Sequence, residues 1–141
     1  SSKLGYRLYC LNNESFDSEG LNSVDYNYYH QQRIACQIVE SHELIKEKSI
    51  ILEFGYKKQN AVAFDKGCYL GQELITRTER LGQVRKQLFN FEFEQEFSDQ
   101  TLQSLTDNKV KIISKTKFND KFSYLFLTKI TEDELKDIIS G

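Results

Sequence analysis

The spacing of apolar positions changes along the chain, and each change marks an element. Leu4, Tyr6, Leu8 and Cys10 recur at period two within Leu4–Leu11, the pattern of a half-buried strand. Residues 12–22 are polar and contain Gly20, so they read as a turn. Val24, Tyr28, Ile34, Ala35 and Ile38 then fall at helical intervals, predicting a helix over about 23–37 capped by Asn22 or Ser23. Residues 44–52 fit no single period, because Lys46-Glu47-Lys48 interrupts them; Gly55 and 57–60 read as a turn, and Ala61–Phe64 is a short apolar run. After Gly67 a second helix is expected. Leu70, Leu74, Thr78 and Leu81 lie within about 80° of one another at helical spacing, Glu73 and Arg77 form an i,i+4 pair with Arg80 one turn on, and Gly82 stands where a helix stops.

Beyond Gly82 the period returns to two. Val84, Lys86 and Leu88, followed by Phe89, Phe91 and Phe93, predict a long strand with a register shift near Leu88. Two more strands are expected at 109–115 and 121–130, separated by an Asn119-Asp120 turn, and Thr131-Glu132-Asp133-Glu134 has the spacing of a capping box opening a terminal helix. The fold class is α+β, with a small antiparallel sheet or barrel from about residue 83. Residues 95–108 receive no element. Glu92, Glu94 and Glu96, with the lysines between 109 and 121, read as solvated faces or edge protection.

Composition narrows the function classes. A net charge of −2 argues against nucleic acid or an anionic membrane surface as partner, and no run approaches the length of a membrane span. The absence of Met leads to the expectation that the chain is a piece of a longer protein. Cys10, Cys36 and Cys68 are odd in number and widely separated, which fits neither a disulfide framework nor a zinc site. Cys10 and Cys36 are expected to pack as small hydrophobes. Tyr26, Tyr28 and Tyr29 read as packing residues with hydroxyls at the edge. His30 and His42 lack partners at metal spacing and read as surface or packing residues.

The chemistry concentrates in Asp65-Lys66-Gly67-Cys68-Tyr69-Leu70-Gly71-Gln72-Glu73. A thiol at or just before a helix N-terminus is biased toward thiolate by unpaired backbone N–H groups, with Lys66 as a neighbouring cation. It could then serve as nucleophile, redox sensor or ligand for a soft metal, or simply sit in a tight turn. No general base lies beside it in sequence. Lys66, Arg77, Arg80, Arg85 and Lys86 outnumber Asp65, Glu73 and Glu79, which suits a carboxylate-bearing ligand, an acidic partner or a plain solvated helix face.

Lys66–Glu73, followed by Arg77-Thr78, Gly82 and Arg85-Lys86, resembles the K-G-C-Y-x-G-Q-E signature of the YgfZ family at every fixed position. These are folate-binding-like proteins related to the glycine-cleavage T-protein, and they include factors that mature aconitase-type iron–sulfur enzymes. Leu4-Gly5-Tyr6-Arg7 resembles the family's L-G-x-R strand. Arg33-Ile34 with Glu40 resembles its R-I-x-x-G-x-P-E segment, with Gln37 where Gly is usual and Val39 where Pro is usual.

The resemblance implies that this chain corresponds to the C-terminal part of a family member. Residues 1–66 would end the middle T-protein-like domain, 67–82 form the signature loop and helix, and 83–141 form a C-terminal β-barrel. It further implies a non-enzymatic role in assembly or repair of iron–sulfur clusters, in the bacterial cytoplasm or the mitochondrial matrix. Cys68 would be the functional thiol and a ligand to a transient cluster shared with an A-type scaffold protein or client enzyme. Lys66, Gly67, Tyr69, Gly71, Gln72 and Glu73 would shape the loop, and Arg77 and Arg85 would offer charge to a partner or to tetrahydrofolate. The alternative is a tetrahydrofolate-dependent aminomethyltransferase of the T-protein type. Oligomeric state is left open.

Overall fold

The computed structural model describes residues 4, 19–20, 22–46, 48–67, 71–82 and 84–141. The strand expected over Leu4–Leu11 lies, apart from Leu4, outside the described residues. The remaining elements are helix α1 (Tyr26–Ala35), two 3-10 turns (Ser41–Glu43 and Ile51–Phe54), helix α2 (Gln72–Arg80), strand β1 (Gln87–Phe93), helix α3 (Asp99–Asp107), strands β2 (Lys111–Phe118) and β3 (Lys121–Thr128), and helix α4 (Glu132–Ser140). The class is α+β, as expected.

The three strands form an open antiparallel sheet in the order β1-β3-β2. The barrel expected over 83–141 is therefore not closed among the described residues, since three strands are too few to curl a sheet onto itself. β3 is the central strand, and every residue from Ser123 to Thr128 is buried. Its side chains alternate between two layers. Tyr124 and Phe126 point to one side, where Leu105 of α3 and Leu135 of α4 pack with Val110 and the half-buried Phe89, Phe91, Phe93 and Phe97. Leu125 and Leu127 point to the other, where Ile34, Val39, Phe54 and Leu88 meet them.

That arrangement corrects the register shift expected near Leu88. β1 pairs with β3 without interruption from Gln87 opposite Thr128 to Phe93 opposite Phe122. Leu88 and Phe89 are both apolar because the sheet is covered on both sides, so each enters a different core and no bulge is needed. The irregularity lies in β2 instead, between Ile112 and Ser114. The extra residue, Ile113, turns Ser114 onto the face carrying α1.

Local chemistry sets several boundaries. The Asn119-Asp120 turn joins β2 to β3 with φ of 48° and 60°, the doubly left-handed geometry that matches strand twist in a two-residue hairpin. Thr131 and Glu134 form the expected capping box at α4: the Thr131 N–H donates to Glu134 Oε2 at 2.8 Å, and the Glu134 N–H donates to Thr131 Oγ1 at 3.3 Å. α1 is capped by Asp25, whose carboxylate accepts from the Asn27 N–H at 2.7 Å, rather than by Asn22 or Ser23. α3 was not anticipated. Ser98 caps it, accepting from the Thr101 N–H at 3.2 Å, and Leu105 anchors it in the core.

Candidate functional site

The signature segment connects the two halves of the chain. Asp65, Lys66 and Gly67 are exposed, and Cys68, Tyr69 and Leu70 lie outside the described residues. Gly71 is the N-cap of α2 at φ 87°, a left-handed conformation that glycine adopts without steric cost. The helix itself begins at Gln72, so residue 68 precedes its N-cap in sequence rather than occupying the first turn. At the other end Gly82, at φ 61°, provides the expected left-handed stop.

α2 is not oriented as its apolar stripe predicts. Thr78 is buried and Ile75 half-buried, but Leu74 is 60% and Leu81 55% exposed. The buried side packs on the Ile51–Phe54 turn, and Glu79 is tied to Lys57 by an ion pair. Ile75 also joins Ile51, Ala61, Val62, Ala63 and Lys66 around a shallow hollow of about 260 Å³. On the outward side Gln72, Glu73, Thr76, Arg77, Arg80 and Leu81 line an open hollow of about 540 Å³. The structure thus brings Gln72, Glu73 and Arg77 together on one helix, with Lys66 near its inner side. Arg85 is exposed and does not line that hollow. Its neighbour Lys86 donates to the buried Glu53 carboxylate at 2.9 Å, pinning the start of β1 to the second 3-10 turn.

Among the described residues, the walls beside Arg77 come from α2 and its C-cap Leu81, and a tetrahydrofolate needs an enclosing apolar slot with a polar group for its pterin edge. Such a slot would require groups beyond the described residues. Among the described residues, no group of three or more His, Cys, Asp or Glu side chains could hold a metal ion. No helix there is long and apolar enough to cross a membrane.

A second cluster explains the other signature-like segment. Arg33 is completely buried. Its Nη1 donates to Glu43 Oε2 at 2.6 Å and to the Ile38 carbonyl at 2.7 Å, and its Nη2 to Glu43 Oε1 at 2.9 Å and Ser114 Oγ at 2.8 Å. Burial alone would raise the Glu43 carboxyl pKa, but hydrogen bonds from Arg33, the Glu40 N–H and Ser114 outweigh it and hold the pKa below the usual value. Tyr29 Oη donates to Glu40 Oε1 at 2.8 Å. His30 bridges Tyr26 Oη, at 2.7 Å, and Arg33 Nη2, at 3.3 Å; burial first, then the Arg33 charge, lowers its pKa.

Gln37, which stands where the resembled family usually has Gly, keeps the left-handed backbone at φ 54°. Its side-chain amide donates to Asn90 Oδ1 at 3.1 Å, so the turn geometry survives the substitution. Cys36 is a half-buried free thiol on the wall of a separate cleft of about 170 Å³. Sequence reasoning missed Glu43, Glu53 and Ser114. Nothing in the local pattern distinguishes them from solvated polar residues, because their partners come from distant segments.

The chain is similar to proteins described as mitochondrial iron–sulfur cluster assembly factor IBA57. The human protein is 34% identical over 94 residues, which cover 66% of this chain and 26% of that protein. The Dictyostelium discoideum homologue is 36% identical over 91 residues, 61% of this chain and 22% of that protein, and the mouse protein is 39% identical over 71 residues, 50% and 20%. No protein-family model matches the chain. No solved structure matches it. The matched stretch therefore spans about a quarter of the relatives' length, and over that stretch the proteins the chain resembles are mitochondrial iron–sulfur cluster assembly factors.

Proposed function

We propose that the protein acts in assembly or repair of iron–sulfur clusters, as a non-enzymatic factor of the YgfZ type working in the mitochondrial matrix. The similarity to the IBA57 proteins over 66% of the chain carries this reading. The intact Lys66–Glu73 signature adds to it.

In this reading the cluster is cargo, and Cys68 is the one thiol the chain offers to it. Iron–sulfur clusters are held by several thiolates. With Cys10 and Cys36 far from Cys68 in sequence, the remaining ligands come from an A-type scaffold protein or from the client enzyme. Lys66, Gly67 and Gly71, on either side of the cysteine in sequence, are exposed and so within a partner's reach. Lys66 supplies a cation that favours thiolate, and Gly71 allows the chain to turn into α2.

The test is complementation. A strain lacking the protein is supplied with the full-length form carrying Cys68→Ala, and aconitase activity is measured. Loss of most of the activity, with normal protein abundance, is expected; undiminished activity would remove Cys68 from the mechanism.

A further inference from the structure

We infer that the outward face of α2 is a docking surface for a protein partner that presents carboxylates among apolar residues. The inference rests on the assembly-factor reading and adds to it the place where the partner sits.

A nine-residue helix on a folded domain ordinarily buries its apolar residues and exposes its charges. α2 does the reverse with its leucines. Ile75 and Thr78 face the protein, while Leu74 and Leu81 stand out at 60% and 55% exposure, one on either side of Arg77. At about 100° per residue, Leu74, Arg77, Arg80 and Leu81 fall within roughly 120° of arc, so the leucines and arginines make one surface. The helix is not simply rotated by a weak interior fit. Its inner side is held by the burial of Thr78, by packing on the Ile51–Phe54 turn, and by the Glu79–Lys57 ion pair. Two leucines left exposed about two turns apart on one side of the helix mark a surface that is covered in use.

Charge selects the occupant. Arg77 and Arg80 are exposed, and no ion pair involving either is formed among the described residues, whereas Glu79 on the inner side is already paired. Glu73 is the one acid on the outward face. Two leucines flanking Arg77, with Arg80 beside them, fit a partner surface that sets Asp or Glu among apolar residues. The charges would set orientation and encounter rate, and the leucines would supply the contact area. α2 follows directly from the signature loop in sequence, so a partner seated here is brought close to the segment carrying Cys68.

The probe is a purified A-type iron–sulfur scaffold protein, titrated calorimetrically against the full-length protein at low and at moderate salt. Four forms are compared: wild type, Cys68→Ala, Leu74→Ser with Leu81→Ser, and Arg77→Glu with Arg80→Glu. Circular dichroism checks that each is folded. Wild type and Cys68→Ala should bind without added cluster, and both face variants should lose at least about tenfold in affinity. Raising salt should weaken wild type but have much less effect on the Arg77→Glu/Arg80→Glu form.

Binding by the face variants within about twofold of wild type would overturn the assignment, as would absence of binding by wild type. So would a homodimer in sedimentation that the leucine variants dissolve, because the face would then belong to a second copy. The same variants are scored for aconitase activity beside Cys68→Ala. Normal activity with the face variants and loss with Cys68→Ala would remove the docking surface and leave the assembly reading standing. Normal activity with Cys68→Ala would count against the role of the thiol and not against the surface.

Discussion

The two faces of the sheet are built on different principles. The side covered by α3 and α4 is aromatic: Phe97 stacks on Tyr124 with ring centroids 4.3 Å apart, and Phe91, Phe93 and Phe126 surround the pair at offset or edge-on angles. The side covered by α1 has an apolar patch at one end, around Ile34, Phe54, Leu88 and Leu125. The rest of it is polar. Asn90, Glu92, Ser114 and Thr116 meet Gln37, Gln31, Arg33 and Asn27 through hydrogen bonds, and Ser123 donates to Glu92 within the sheet. The aromatic face is stabilised by area and shape, so it tolerates changes that conserve volume. The polar face is stabilised by directed bonds, so it holds α1 in one register and tolerates little change in chemistry.

The largest effects should come from cutting the centre of each face. Phe126→Ala and Arg33→Ala are each expected to cost about 3–5 kcal/mol in urea unfolding, the first by leaving a cavity, the second by stranding the buried Glu43 carboxylate. The conservative replacements separate the faces. Phe126→Leu should cost less than about 1.5 kcal/mol, whereas Arg33→Lys should retain most of the damage, because an ammonium cannot reproduce the fork to Glu43 and Ser114. Equal tolerance at the two positions would erase the distinction.

Acid offers a milder way to tell the faces apart. The folded-state pKa of His30 lies below its ordinary 6.5, so the unfolded chain takes up that proton first; the stability His30 contributes is present above pH 6.5 and is lost as pH falls through the lower folded value. Glu43 follows in a lower window, its contribution present above 4.5 and lost as pH falls through its depressed folded pKa. Both groups stand on the α1 side. Unfolding followed from pH 7 to pH 3 should show a shallow loss and then a steeper one, and His30→Gln should remove the shallow part alone. The smallest effect is expected at Gln37. Gln37→Gly relieves about 1 kcal/mol of left-handed strain but gives up the bond to Asn90, so the net change should stay within about 1 kcal/mol, while Gln37→Ala keeps the strain, loses the bond and should be less stable than either.

The parts of the fold legible in the sequence are those whose signals are local. The Asn119-Asp120 hairpin, the Thr131 capping box and the Gly82 stop each involve residues within a turn of one another. α3 escaped notice because its stretch is mostly polar and contributes only Leu105 to the buried core, too little to show a period. The shift placed near Leu88 was a sound reading for a sheet with one wet face; it failed because at Leu88 and Phe89 this sheet is packed on both sides. At the signature, the glycines at 71 and 82 kept their expected roles, but the direction of α2 did not follow from its stripe.

By itself the sequence determined the types of most elements, the hairpin, the α4 capping box and the signature with its single thiol, because these depend on backbone preferences and on neighbours a few residues away. Tertiary structure decided which side chains are buried and which are offered to solvent. Only the packing of α1 on the sheet makes Arg33 the centre of a buried ion-pair network, and only the docking of Thr78 and Ile75 turns Leu74 and Leu81 outward. The reason is that a residue's periodicity gives the face of an element it lies on, while the side that face turns to is set by partners from distant parts of the chain.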